Sequence, residues 1–110
     1  MARFVKGDVI VVPFPFSDLS QAKRRPALVV AAPGGDDIIL CQITSQAVRD
    51  TLAVPLRRAD FQSGGLRLES NVRPNRLFTA DSALALYSVG HLTLPKLNEV
   101  VAAIVRILSF

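Results

Sequence analysis

Short apolar runs rich in valine and isoleucine, each ended within a few positions by turn-forming residues, set the limits on how this chain can fold. Residues 9–14, 27–32, 38–44 and 52–56 read as strands, with shorter candidates at 76–78 and 86–89. Pro33-Gly34-Gly35-Asp36-Asp37 is a turn signal, and Ser63-Gly64-Gly65 reads as a longer loop. These connections are far too short for parallel crossovers, so the strands are expected to pair antiparallel.

The period changes near the C-terminus. Thr93 can cap a helix whose first turn tolerates Pro95, because no intrahelical N–H is needed there. Leu97, Val100, Val101, Ile104, Val105 and Leu108 then recur at three- and four-residue spacing, opposite Lys96, Asn98, Glu99 and Arg106. A second short helix is expected around residues 80–86. A small, mainly β (α+β) chain with a terminal helix favours an SH3-like barrel of five to seven strands over a sandwich. Such an architecture says nothing about chemistry.

At 110 residues, the chain is expected to form one domain spanning 1–110. Half of it is apolar, enough for a core without disulfides or a structural metal. Cys41, the only cysteine, cannot form an internal disulfide and suits a reducing compartment. No run reaches the roughly 18 apolar residues of a membrane span. Only Phe4 and Val5 precede Lys6-Gly7-Asp8, which is no signal-peptide core. A soluble, cytoplasmic protein is the expectation.

Lysine and arginine number 13 against 9 acidic residues, and ten of the 13 are arginine. Arginine's planar fork binds phosphate in a bidentate manner and stacks on bases, so the excess suits nucleic acid. It suits an acidic protein partner equally well. The carboxylates are scattered, and no zinc pattern or glycine-rich phosphate loop is visible, so any nuclease chemistry is expected to be metal-independent.

Ser20-Gln21-Ala22-Lys23-Arg24-Arg25-Pro26 is the most informative segment. It places three consecutive cations in a loop before a strand, and Pro26 restrains Arg25 to an extended backbone. The run reads either as a solvated loop or as a phosphate-binding ridge. Thr44, followed by Ser45 and Gln46, ends a strand. Its hydroxyl either satisfies backbone groups there or contributes to a polar site. His91, the only histidine, lacks a visible triad partner and reads as structural or surface. Phe14 and Phe16 read as packing residues, with Phe16 the more exposed.

Three stretches carry a resemblance in order: KGDVIVVPFPFSDLSQAKRRPALVV at 6–30, CQITSQ at 41–46 and NRLFTADSALALYSVGHLT at 75–93. Together they resemble the MazF/PemK family of type II toxin–antitoxin toxins. That resemblance implies a CcdB/PemK-type SH3-like barrel, a homodimer, and sequence-selective cleavage of single-stranded mRNA without a cofactor. It assigns catalysis to Arg25 and Thr44. It assigns RNA contacts to Ser20, Gln21, Lys23 and Arg24 of the preceding loop, and Ser45 and Gln46, next to Thr44, are expected to contact RNA as well. It further implies a cognate antitoxin whose acidic tail covers the basic groove. Many relatives carry a glycine-rich loop where this chain has Asp18-Leu19-Ser20-Gln21-Ala22-Lys23-Arg24. Two alternatives share the fold: a CcdB-like toxin that inhibits gyrase by protein contact, and a non-catalytic RNA-binding module.

Overall fold

The computed structural model describes residues 4–14, 23–47 and 51–110. Seven strands form one antiparallel sheet: β1 (Asp8–Phe14), β2 (Lys23–Ala31), β3 (Asp37–Thr44), β4 (Val54–Leu56), β5 (Phe61–Gly64), β6 (Ser70–Asp81) and β7 (Tyr87–Leu92). Helix α1 (Leu94–Leu108) follows. The spatial order is β4-β6-β3-β2-β1-β7-β5, and the sheet curls into a half-barrel.

Strands β1, β2 and β3 are apolar on both sides because both sides are covered. Val9, Leu28, Cys41 and Ile43 join Val72 and Leu92 beneath α1. Ile10, Val12, Ala27, Val29, Ile38 and Leu40 form a second cluster on the opposite face, flanked by Phe4, Phe78, Ala80 and Ala85. We call these the helix-facing and the far face. Period-two alternation decides which residue enters which cluster.

The helix begins as expected. Thr93 Oγ1 accepts the Lys96 N–H at 3.4 Å. Leu97, Val100 and Ile104 are buried against the sheet, each contributing about 1.5–3 kcal/mol of hydrophobic stabilisation. The apolar stripe is narrower than its spacing suggested: Val105 and Leu108 stay exposed. Lys96 is not simply solvated. Its ammonium donates to Pro55 O at 3.1 Å and pairs with Glu99 at 2.9 Å, tying α1 to β4.

The N-terminal corner depends on Gly7. Its φ is +103°, and a Cβ there would lie 2.8 Å from His91 Cε1. Asp8 locks the same corner, with Oδ2 accepting the Val5 N–H at 2.9 Å and Oδ1 lying 2.8 Å from His91 Nδ1. His91 is thereby a structural histidine.

Several elements differ from the sequence reading. Lys23, Arg24 and Arg25 lie within β2 rather than in a loop, because Phe14, Pro13 and Val12 of β1 pair with them. Ser63 and Gly64 belong to β5, held by His91 and Gly90 of β7. Strand β4 is shorter than expected, since Thr51 and Leu52 form a turn. The expected helix near 80–86 is a single 3-10 turn, Ser82–Leu84, opened by Asp81 Oδ1 accepting the Ala83 N–H. The largest difference is β6, twelve residues where only 76–78 were expected. Its register against β3 jumps from Val72–Ile43 to Leu77–Cys41, and the intervening bulge accommodates Pro74.

Candidate functional site

Strands β2 and β3 position the two residues singled out for catalysis. Their ladder runs Val29–Leu40, Leu28–Cys41 and Ala27–Gln42, where it stops. The same register, carried two residues beyond the ladder, points Arg25 toward Thr44. Both belong to the far face: Arg25 is the cross-strand partner of Val12, and Thr44 alternates with helix-facing Ile43. The row continues outward, since Thr44 pairs with Asn71 of β6 and Asn71 with Pro55 of β4. Arg25, Thr44 and Asn71 thus share one face, a polar row in which Thr44 and Asn71 are direct ladder partners.

Arg25 is half-buried, with its Nε removed from solvent, so packing limits the guanidinium's freedom. Thr44 is 8 % exposed, and its Oγ1 accepts the Gln46 N–H at 3.2 Å. That bond fixes the oxygen through an acceptor lone pair. A threonine hydroxyl also carries a proton to donate.

The other proposed contacts divide between the faces. Alternation along β2 sends Lys23 to the far face with Arg25, about 7 Å away along the strand. Arg24 points the other way. The three cations therefore do not make a single ridge. Ser45 and Gln46 line a cavity of about 370 Å³ beside Thr44, together with Pro55, Arg57 and Asn71. Ser20 and Gln21, like Phe16, lie outside the described residues.

The model of the PemK-like, MazF-like toxins of type II toxin–antitoxin systems matches residues 5–108. The chain belongs to that family. Several solved structures share its fold. A mycobacterial endoribonuclease in complex with its cognate antitoxin superimposes with a TM-score of 0.77 at 15% identity, covering 97% of this chain and 96% of that one. MazF from Deinococcus radiodurans gives 0.76 at 20% identity, with 97% of each chain covered. The MazE–MazF complex of the same organism gives 0.73 at 19%, covering 97% of this chain and 96% of the other. No curated protein matches the sequence significantly.

Within this MazF-like fold, sequence reasoning missed Asn71 and Arg57. Asn71 sits in NVRPNR, whose polar residues and proline disguise a strand. Recognising β6 as the partner of β3 would have placed it beside Thr44. Arg57 follows β4 directly, and no local pattern distinguishes it from other surface arginines. Cys41 is inert: its thiol is fully buried, donates to Arg73 O at 2.8 Å, and is pushed up to about 12 by burial.

Proposed function

We propose that this chain is the toxin of a type II toxin–antitoxin pair, acting as an endoribonuclease on single-stranded RNA. The placement of Arg25 and Thr44 on one face, in a member of the MazF-like family, carries the reading. RNA supplies its own nucleophile, the ribose 2′-hydroxyl. The 2′-oxygen attacks the adjacent phosphorus, a P–O2′ bond forms and the P–O5′ bond breaks. The 2′-proton passes to solvent, and solvent returns a proton to the departing 5′-oxygen. Products are a 2′,3′-cyclic phosphate and a 5′-hydroxyl end. Arg25 stabilises charge developing on the phosphoryl oxygens, and Thr44 hydrogen-bonds a phosphoryl oxygen or orients the 2′-hydroxyl. Lys23, on the same face, and Arg24, on the other, bind flanking phosphates, while Gln21 contacts the RNA and Ser20 reads a sugar or base edge. Gln46 and Ser45 contact sugars or base edges. No metal is required.

Restraint of this activity falls to a cognate antitoxin, whose acidic segment orders over the basic surface. Two copies of the chain form the working toxin in the cytoplasm, each copy a single domain spanning 1–110. The test is digestion of a mixed-sequence single-stranded RNA in EDTA, followed by sequencing of the new ends. Fragments with 5′-hydroxyl ends are expected from the wild type. Arg25→Ala should cleave on the order of 10²–10³ slower. Equal rates for the two proteins would overturn the assignment. Intact RNA after prolonged incubation would point instead to a gyrase-directed or purely RNA-binding protein.

A further inference from the structure

A second groove opens on the other face of β2, and it is not part of the Arg25–Thr44 row. Its volume is about 320 Å³. Pro26, Val11 and Tyr87 form its floor, and they are register partners across β2, β1 and β7. Leu66 and Leu68, from the segment joining β5 to β6, wall one side. Arg24 and Arg67 stand with Ser45 and Ser70 around this apolar floor. Tyr87 is 47 % exposed.

This combination matches one kind of ligand. A nucleobase has two apolar faces, a hydrogen-bonding edge and an anionic phosphate beside it. An aromatic ring with aliphatic walls takes the faces, the serine hydroxyls take the edge, and arginines take the phosphates. A larger cavity elsewhere, about 450 Å³ near Phe4 and Ser82, contains Asp36 and Asp81 and would repel phosphate. The groove also adjoins the candidate catalytic row through chain neighbours. Arg24 precedes Arg25, and Ser45 follows Thr44. Both sites lie where β2 begins and β3 ends, so an RNA strand with its scissile phosphate at Arg25 and Thr44 can pass around those strand ends and set a nearby nucleotide in the groove.

We propose that this groove is a base-binding subsite in which Tyr87 stacks on an unpaired base flanking the cleavage point, making Tyr87, Arg24 and Arg67 determinants of RNA preference. The proposal rests on the ribonuclease reading, deepening it to a specific recognition element. Tyr87 supplies its own reporter, because the chain has one tyrosine and no tryptophan.

The experiment titrates the full chain with a 2′-O-methyl single-stranded RNA, which lacks the nucleophile and so reports binding without cleavage. Tyrosine emission should fall to a plateau as RNA saturates. Tyr87→Ala should bind on the order of 10- to 100-fold more weakly, while Tyr87→Phe should stay near wild type. On cleavable RNA of randomised sequence, Tyr87→Ala should also relax base preference at one position beside the cut. Quenching without cleavage by the wild type would uphold the subsite and defeat the nuclease reading. Cleavage with unchanged emission and unchanged preference in Tyr87→Ala would do the reverse. An acidic peptide that alters Tyr87 emission when RNA does not would assign the groove to a protein partner and overturn the proposal. If Tyr87→Ala loses its circular dichroism spectrum, the wild-type titration alone decides.

Discussion

Thr44 shows how little separates a structural residue from a chemical one at the scale of a side chain. Its oxygen already caps a turn by accepting the Gln46 N–H. Thr44→Val would remove that bond and the hydroxyl donor together, whereas Thr44→Ser would retain both. Single-turnover cleavage by Thr44→Val is therefore expected to fall on the order of 10²-fold or more, with Thr44→Ser within about tenfold of wild type. If the valine variant cleaves as fast as the serine variant, the hydroxyl has no part in the reaction. Cys41 gives a second residue-scale expectation. Burial raises its thiol from 9.0 to about 12, so the folded state resists ionisation where the unfolded chain permits it. The stability this thiol contributes is fully present below pH 9 and is lost as pH rises from 9 towards 12. Urea unfolding should show the chain losing about 1.4 kcal/mol per pH unit relative to Cys41→Ala across that window. Parallel alkaline profiles for the two proteins would refute it.

At the scale of elements, β2 and α1 do different work. Strand β2 carries both cores and the cations. Its pairing with β1 extends past the apolar run to Lys23, and that extension holds Arg25 rigid and on the same face as Thr44. Helix α1 covers the helix-facing core with Leu97, Val100 and Ile104. Leu97→Ala should cost about 2–5 kcal/mol of unfolding free energy, and Thr93→Ala about 1 kcal/mol through the lost cap. Thermal or urea denaturation checks both. Neither residue approaches the Arg25–Thr44 row, so cleavage at temperatures where the variants remain folded should be unaffected.

For the molecule as a whole, an excess of arginine over carboxylate gives a formal charge of +4, suited to RNA and to an acidic antitoxin segment alike. Binding to single-stranded RNA should weaken linearly in log–log form as salt rises. Lys23→Ala should reduce the magnitude of that slope by about 0.7, the value for one lost phosphate contact on a single strand. An unchanged slope would remove Lys23 from the RNA path. Among the described residues, no helix is long and apolar enough to cross a membrane.

Local pattern alone disclosed the apolar strands β1, β2 and β3, the capped C-terminal helix, and the small mainly β class, because each signal is carried within a few residues by period, branching or capping chemistry. It disclosed only residues 76–78 of β6 and nothing of β5. Their residues are polar or glycine-rich, and their extended form depends on ladders with β3, β4 and β7 supplied from far along the chain. The same division holds for the site. Arg25 and Thr44 drew attention through family-like motifs, but only the shared register of β2 and β3 brings them onto one face. Asn71 joins that row through a bulged strand with no sequence signal of its own. Arg24 and Arg25 are indistinguishable as neighbouring charges in sequence. Strand alternation sends them to opposite faces, and that parity exists only once the sheet is built.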